Sequence, residues 1–276
     1  MRDHANVTGF ANWCLVVVDM QNDFLAAQGY YAQRSKLDEQ VRRGTLIIQK
    51  RNHLLSQRRA APPGRFRYRA TALPSIVANI CAVIQHARGL QRPIVYLTAA
   101  YSRQFEAQPP FLRLEPDRKH YPCKPSSWGA GFIEPIGRMI ASGKITSNER
   151  VIEKHTFDGF FQTDLLQFLR ERQVQTVVIV GVETHVCVVA TAQSASMNQF
   201  RTLILEDCIW TAKDKLGQAA LTIFRDAFGS TIEAQELLTS TTQQPAGSKP
   251  RPPSPPALGR RLRRRASQHS RRPRTS

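Results

Sequence analysis

Three residues of this chain have the types needed to open a carbonyl compound: Asp19, Lys154 and Cys187. A cysteine is a soft nucleophile that attacks only after its thiol proton has left. A carboxylate can take that proton, and an ammonium can hold the carboxylate and offset the negative charge that develops during attack. The three lie far apart in the chain, so the fold has to bring them together.

The local sequence gives each a comparable place. The apolar run WCLVVV (13–18) ends at Asp19, and ERVIEK (149–154) ends on Lys154. Val177 to Val180 form a β-branched apolar run, the pattern of a strand buried on both faces, and Gly181 stops it. Thr184 then reads as an N-cap, and the helix-compatible residues from His185 place Cys187 in the first turn of a helix. Free N–H groups and the helix dipole there favour thiolate over thiol.

Strands and helices alternate along the rest. Pro74 opens a helix with Ile76, Val77, Ile80, Val83, Ile84 and Ala87 at helical spacing; Gly89 ends it and the strand PIVYLT (93–98) follows. A short helix is expected over 130–141 and another over FFQTDLLQFLRER (160–172). RTLILED (201–207) reads as a strand. LGQAALTIFRDAF (216–228) reads as an amphipathic helix with Leu216, Ala220, Ile223, Phe224 and Ala227 on one face, and STIEAQELL (230–238) as a last short strand and turn. The fold class is therefore α/β, a three-layer αβα sandwich around a mostly parallel, doubly wound sheet. In such a sheet the strand C-termini share one edge, which puts Asp19, Lys154 and Cys187 along one crevice.

Charge divides the chain. The net charge of +18 comes largely from residues 33–69, with eleven basic and two acidic residues, and residues 241–276, with ten basic and none acidic. The rest is near neutral. A domain over 1–240 is expected, with a basic insertion at about 29–72 exposed around RRAAPPGRFRYRA, followed by a disordered Pro/Arg-rich tail at 241–276. The two basic segments could contact RNA or another polyanion, and a binding protein on this fold is the alternative to an enzyme. Five scattered cysteines without a CxxC pair argue against a disulfide framework or a cysteine zinc site. No apolar run has the length of a membrane span, and the first residues carry no leader pattern, so the expectation is a cytoplasmic protein.

The segments VVVDMQNDF (16–24), VIEKHTFDGFFQTDL (151–165), VIVGVETHVCVVATA (178–192) and LILED (203–207) resemble the isochorismatase-like cysteine hydrolases, a family that includes nicotinamidases, N-carbamoylsarcosine amidase, ureidoacrylate amidohydrolase and biuret hydrolase. The resemblance implies Cys187 as nucleophile, Asp19 as general base and Lys154 as its partner. It also implies a cis peptide between Val182 and Glu183, an oxyanion hole from the backbone N–H groups of Glu183 and Cys187, and Phe24 at the substrate pocket. The implied activity is hydrolysis of an amide or ureide C–N bond of a small polar molecule through a thioester, without an organic cofactor, in a homo-oligomer.

Within that resemblance, Cys187 points away from the branch that cleaves a vinyl ether. Nicotinamidases carry a metal-binding Asp-x-His plus a further histidine after their second strand, where this chain reads YLTAAYSRQFE (96–106); no metal is expected. SSWGAGF (126–132) is closer to the ureido- and biuret-type amidases, and Trp128 is its candidate pocket residue. Of the histidines, His155 and His185 are expected to pack or hydrogen-bond, while His120 is a weaker candidate for the pocket.

Overall fold

The computed structural model describes residues 12–42, 73–142 and 147–240. Six strands form one sheet in the order β3-β2-β1-β4-β5-β6, and every neighbouring pair is parallel. They are β1 (Trp13–Val18), β2 (Ile94–Ala99), β3 (Glu149–Lys154), β4 (Thr176–Val182), β5 (Arg201–Trp210) and β6 (Ser230–Ile232). The chain runs outward from β1 through β2 to β3, then restarts at β4 beside β1 and runs the other way. The switch point is thus the gap between the C-termini of β1 and β4, where open α/β sheets build their sites.

Alternation along the strands divides the core. Trp13, Leu15 and Val17, with Tyr96, Val178 and Val180, face one side and pack against α3 (Leu73–Gly89) through Ile80, Val83, Ile84 and Ala87. Cys14, Val16 and Val18, with Val95, Leu97, Val177 and Ile179, face the other side. There they meet α6 (Leu165–Glu171), α7 (Val189–Met197) and α8 (Asp214–Ala227). Both faces of the central strands are covered, which is why those strands read as unbroken apolar runs. The remaining helices are α1 (Asn22–Leu25), α2 (Tyr30–Arg42), α4 (Pro110–Arg113), α5 (Ile136–Ser142) and α9 (Ala234–Ser240).

The structure revises several expectations. Residues 30–42, read as part of an irregular insertion, begin it as helix α2; the stretch from 43 to 72 and the tail from 241 lie outside the described residues. The helix expected over 130–141 starts only at Ile136, directly after Pro135, whose ring disfavours helical backbone at the residue before it. In α8 the buried stripe is Gly217, Leu221 and Phe224, whereas Leu216 and Ile223 are 48% and 57% exposed. Both sets have helical spacing. Gly217, which has no side chain to show hydrophobicity, conceals the stripe that is buried, and its bare backbone lets α8 approach Thr211.

Gly181 has φ +118°, and a Cβ there would collide with the Val18 carbonyl. Only glycine lets β4 come this close to β1 just before Asp19. That approach sets the width of the switch point.

Candidate active site

Asp19 follows β1 in the left-handed region, φ 51°, with its N–H donating to the Leu97 carbonyl at 3.0 Å. Lys154 ends β3, two strands away, or about 10 Å at ordinary strand spacing. A lysine is long enough to cross the end of β2, and its partner there in register is the small Ala99. Lys154 Nζ reaches Asp19 Oδ2 at 2.9 Å and donates to the Thr156 carbonyl at 3.1 Å. Both side chains are fully buried. Lys154 and Asp19 therefore meet as a buried ion pair beside Cys187.

Cys187 sits on the other side of the switch point and is 2% exposed. It lies in a π-helical turn, Thr184–Val188, that precedes α7, and no side chain caps that turn. Glu183, not Thr184, stands at the N-cap position, and Cys187 lies in the first turn of the helical segment as expected, although that turn is π-helical. The Val182–Glu183 peptide that leads into the turn is cis. Burial pushes the Cys187 thiol up to about 12, with Lys154 pulling down and Asp19 pushing further up. The expected resting thiolate is thus a resting thiol: desolvation outweighs the backbone dipoles. Burial also raises the Asp19 carboxyl, and the opposing effects of Lys154 and Cys187 do not cancel it.

The motif residues beside Asp19 hold the loops around it. The fully buried Gln21 accepts from the Ala99 N–H at 2.8 Å and donates to the carbonyls of Ala99 and Ala130 at 2.9 and 2.7 Å. Asn22 donates to the Trp128 carbonyl at 2.8 Å, and Asp23 accepts from the N–H groups of Tyr30 and Cys123 at 3.0 and 2.7 Å. The loops after β1 and β2 and the segment SSWGAGF are thereby tied to one another.

Other candidates fall as follows. Phe24 is buried and stacks on Tyr31 with centroids 5.5 Å apart. Trp128 is 59% exposed at the start of a short 3-10 turn. His155 bonds the Ala100 carbonyl at 3.0 Å and stacks on Phe105, and His120 is exposed. Two surface depressions, one bordered by Arg103, Arg118, Lys119 and Lys124 and one by Gln162, Asp164 and Arg170, include none of the three reactive residues. Asp19, Lys154 and Cys187 lie inside a closed site. Among the described residues no group of three His, Cys, Asp or Glu could hold a metal ion.

Two contacts were not foreseen. The Tyr101 hydroxyl lies 3.9 Å from Cys187 Sγ. Tyr101 falls two residues past β2, at the same sheet edge that pointed to Asp19 and Lys154, so the edge rule carried a signal for it. The second is a polar group under the cis peptide. Thr211 Oγ1 is 2.7 Å from Glu183 Oε2 and 2.8 Å from His185 Nδ1, and the Ala212 N–H donates to Glu183 Oε2 at 3.3 Å. With Glu183 ionised, the hydroxyl donates to the carboxylate and Nδ1–H of neutral His185 donates to the hydroxyl.

Burial, helped by Lys213, holds His185 down to about 4 from its ordinary 6.5. Its neutral form contributes stability that is present above pH 6.5 and lost as pH falls through about 4. The denaturation midpoint is expected to fall across that window, and His185→Gln is expected to flatten the fall. An unchanged slope in the variant would contradict it.

The chain is 27% identical over 214 residues to ureidoacrylate amidohydrolase RutB of Variovorax paradoxus, covering 75% of this chain and 70% of that protein. It is 29% identical over 98 residues to nicotinamidase 3 of Arabidopsis thaliana, where the match spans 36% of this chain and only half of the plant protein. Among solved structures, a cysteine hydrolase from Pseudomonas syringae superposes with a TM-score of 0.61 at 19% identity, covering 87% of this chain and 99% of the other. An N-carbamoylsarcosine amidase from Thermoplasma acidophilum superposes at 0.54 with 23% identity, covering 81% and 96%. These likenesses concern the fold. The isochorismatase domain model matches residues 13–236, the span that holds all six strands and all three reactive residues, and the chain belongs to the isochorismatase family of hydrolases.

Proposed function

We propose that this protein is a cysteine amidohydrolase that cleaves an amide or ureide C–N bond of a small polar molecule. The observation that supports it most is the fully buried Asp19–Lys154 ion pair placed across the switch point from Cys187. Isolating two charges from water costs several kcal/mol per ion, and a purely structural core would be served as well by apolar side chains of the same volume.

The buried thiol determines how such a reaction must run. With burial raising Cys187 well above its ordinary value, the thiol is the dominant form at neutral pH. Proton transfer to Asp19 therefore accompanies attack rather than preceding it. As Sγ bonds to the carbonyl carbon, its proton passes to Asp19 and the C=O electrons move onto oxygen. The backbone N–H groups of Glu183 and Cys187 flank the turn and are the proposed donors to that oxyanion. Collapse breaks the C–N bond, and Asp19 returns the proton to the leaving nitrogen. Water then gives a proton to Asp19 and its oxygen to the thioester carbon; the C–S bond breaks and Sγ recovers the proton. Lys154 favours the ionised form of Asp19 before attack and again in the thioester before water is activated, and lies beside the developing charge. Phe24, the last residue of MQNDF, is the proposed apolar wall of the pocket; the exposure of Trp128 favours a rim position for it instead.

Ammonia or amine release from a panel of ureides, carbamoyl amino acids, biuret, nicotinamide and simple amides tests the reading. Turnover of one of them by the wild type is expected. Silence over the whole panel by a folded protein would overturn it.

A further inference from the structure

The approach to Cys187 Sγ that Asp19 leaves open is taken by a tyrosine. Tyr101 is 1% exposed, and its hydroxyl stands 3.9 Å from Sγ, within hydrogen-bond reach for sulfur. Among the described residues that hydroxyl makes no other hydrogen bond. A buried tyrosine hydroxyl ordinarily finds a strong partner, so a weak thiol acceptor as its only one points to a partner that becomes stronger during the reaction.

The ring is fixed from several directions. The Tyr101 N–H donates to the Cys123 carbonyl at 2.9 Å. The edge of the ring meets Phe111 at a centroid distance of 5.4 Å, and the Arg118 guanidinium covers Phe111 from outside at 4.9 Å. Lys154 Nζ lies 6.0 Å from the Tyr101 ring centre. A side chain held this way presents its O–H at a set position and gives up little freedom on donating.

We propose that the Tyr101 hydroxyl is a catalytic hydrogen-bond donor that stabilises the Cys187 thiolate as the thiol proton passes to Asp19. The assignment rests on Cys187 being the nucleophile. The proton inventory supports the direction of donation. The thiol has one hydrogen, and Asp19, an acceptor only, is its destination. Once that hydrogen has left, sulfur carries the charge and Tyr101 has the O–H to meet it. Burial, with Cys187, Asp19, Cys123 and Tyr31 all nearby, raises the tyrosine well above its ordinary value. It therefore keeps its proton and remains a donor. No bond to Tyr101 forms or breaks. When the charge moves on to the substrate oxygen, the hydroxyl is released to the thioester sulfur as a weak contact.

The test is the rate at which iodoacetamide labels Cys187 at fixed neutral pH, in the full chain and in Tyr101→Phe, with the modified peptide identified by mass. Phenylalanine preserves the ring and its contacts with Phe111, so a packing role alone would leave the rate unchanged. A hydrogen bond to a charged sulfur is strong enough to shift thiolate formation by about one pH unit, a loss of about tenfold in labelling rate. The rate–pH profile should keep its shape and move to higher pH, where Asp19, Lys154, Cys123 and Tyr31 are the other titratable groups facing the sulfur. Equal or faster labelling in Tyr101→Phe would overturn the proposal, as would a folded wild type whose Cys187 takes no label. Labelling needs no substrate, so the two ideas fail separately. Hydrolysis with unchanged labelling in the variant would remove Tyr101 and leave the amidohydrolase. The expected labelling ratio without any turnover would do the reverse.

Discussion

Cys187→Ser is expected to lose at least about 10⁴-fold in turnover while folding as the wild type does. The side chain is 2% exposed and exchanges one small group for another, so the packing change is minor. The chemical change is not minor. A serine hydroxyl is much harder to deprotonate than a thiol, and the only base at hand is one carboxylate already engaged by Lys154 at 2.9 Å. The measurement is steady-state turnover on the compound identified from the amide panel, beside a denaturation curve. Retention of more than about one per cent of wild-type turnover in a clean preparation would remove Cys187 from the nucleophile's role.

The second large effect concerns the ion pair. Lys154→Met leaves the Asp19 charge buried without compensation, and Asp19→Asn does the same to the Lys154 charge. Each is expected to cost about 3–5 kcal/mol of folding stability, read from denaturant midpoints. Combining the two removes both charges together. The double variant should then be much closer to wild type in stability than the sum of the single losses implies, while remaining as inactive as Asp19→Asn. That separation of stability from activity is the diagnostic result. In Lys154→Met any residual activity should also fall away at higher pH than in the wild type. Burial already raises the Asp19 carboxyl, and loss of the ammonium raises it further, so protonation disables the base sooner as pH falls. Additive destabilisation in the double variant would show that the two residues do not act as a pair.

The sequence disclosed these residues because they terminate strands. Unbroken runs such as WCLVVV and TVVIV can be little other than central parallel strands, and whatever follows such a strand lies at the functional edge. The same logic applied one step further reaches Tyr101, two residues beyond β2. No local signal marks it, because AAYSRQFE has no periodicity and tyrosine fits many roles. Gln21 and Asp23 were visible as motif letters, but their work in tying three loops together is done by hydrogen bonds to backbone groups about 80 to 110 positions away, which no local pattern encodes.

At Cys187 the helical turn is as expected, and the thiol state is what differs. Reading the cysteine as the start of a helix counted the favourable backbone dipoles and left out desolvation, and burial is a property of the tertiary structure alone. The misread face of α8 is similar. Leu216 and Ile223 are as apolar as the buried Leu221, and only Gly217's approach to Thr211 decides which stripe turns inward. At α5 the helix begins only after Pro135, because a proline disfavours helical backbone at the residue before it.

In the proposed mechanism a carbon–sulfur bond forms at Cys187 during turnover. The most direct measurement is the mass of the protein quenched in the steady state with the compound found by the panel, followed by digestion to the peptide that contains residue 187. An added mass equal to the acyl half of the substrate is expected on that peptide, absent from Cys187→Ser and lost on further incubation as the thioester hydrolyses. Turnover at full rate with no adduct at Cys187 under any quench, or an adduct on another side chain, would contradict it.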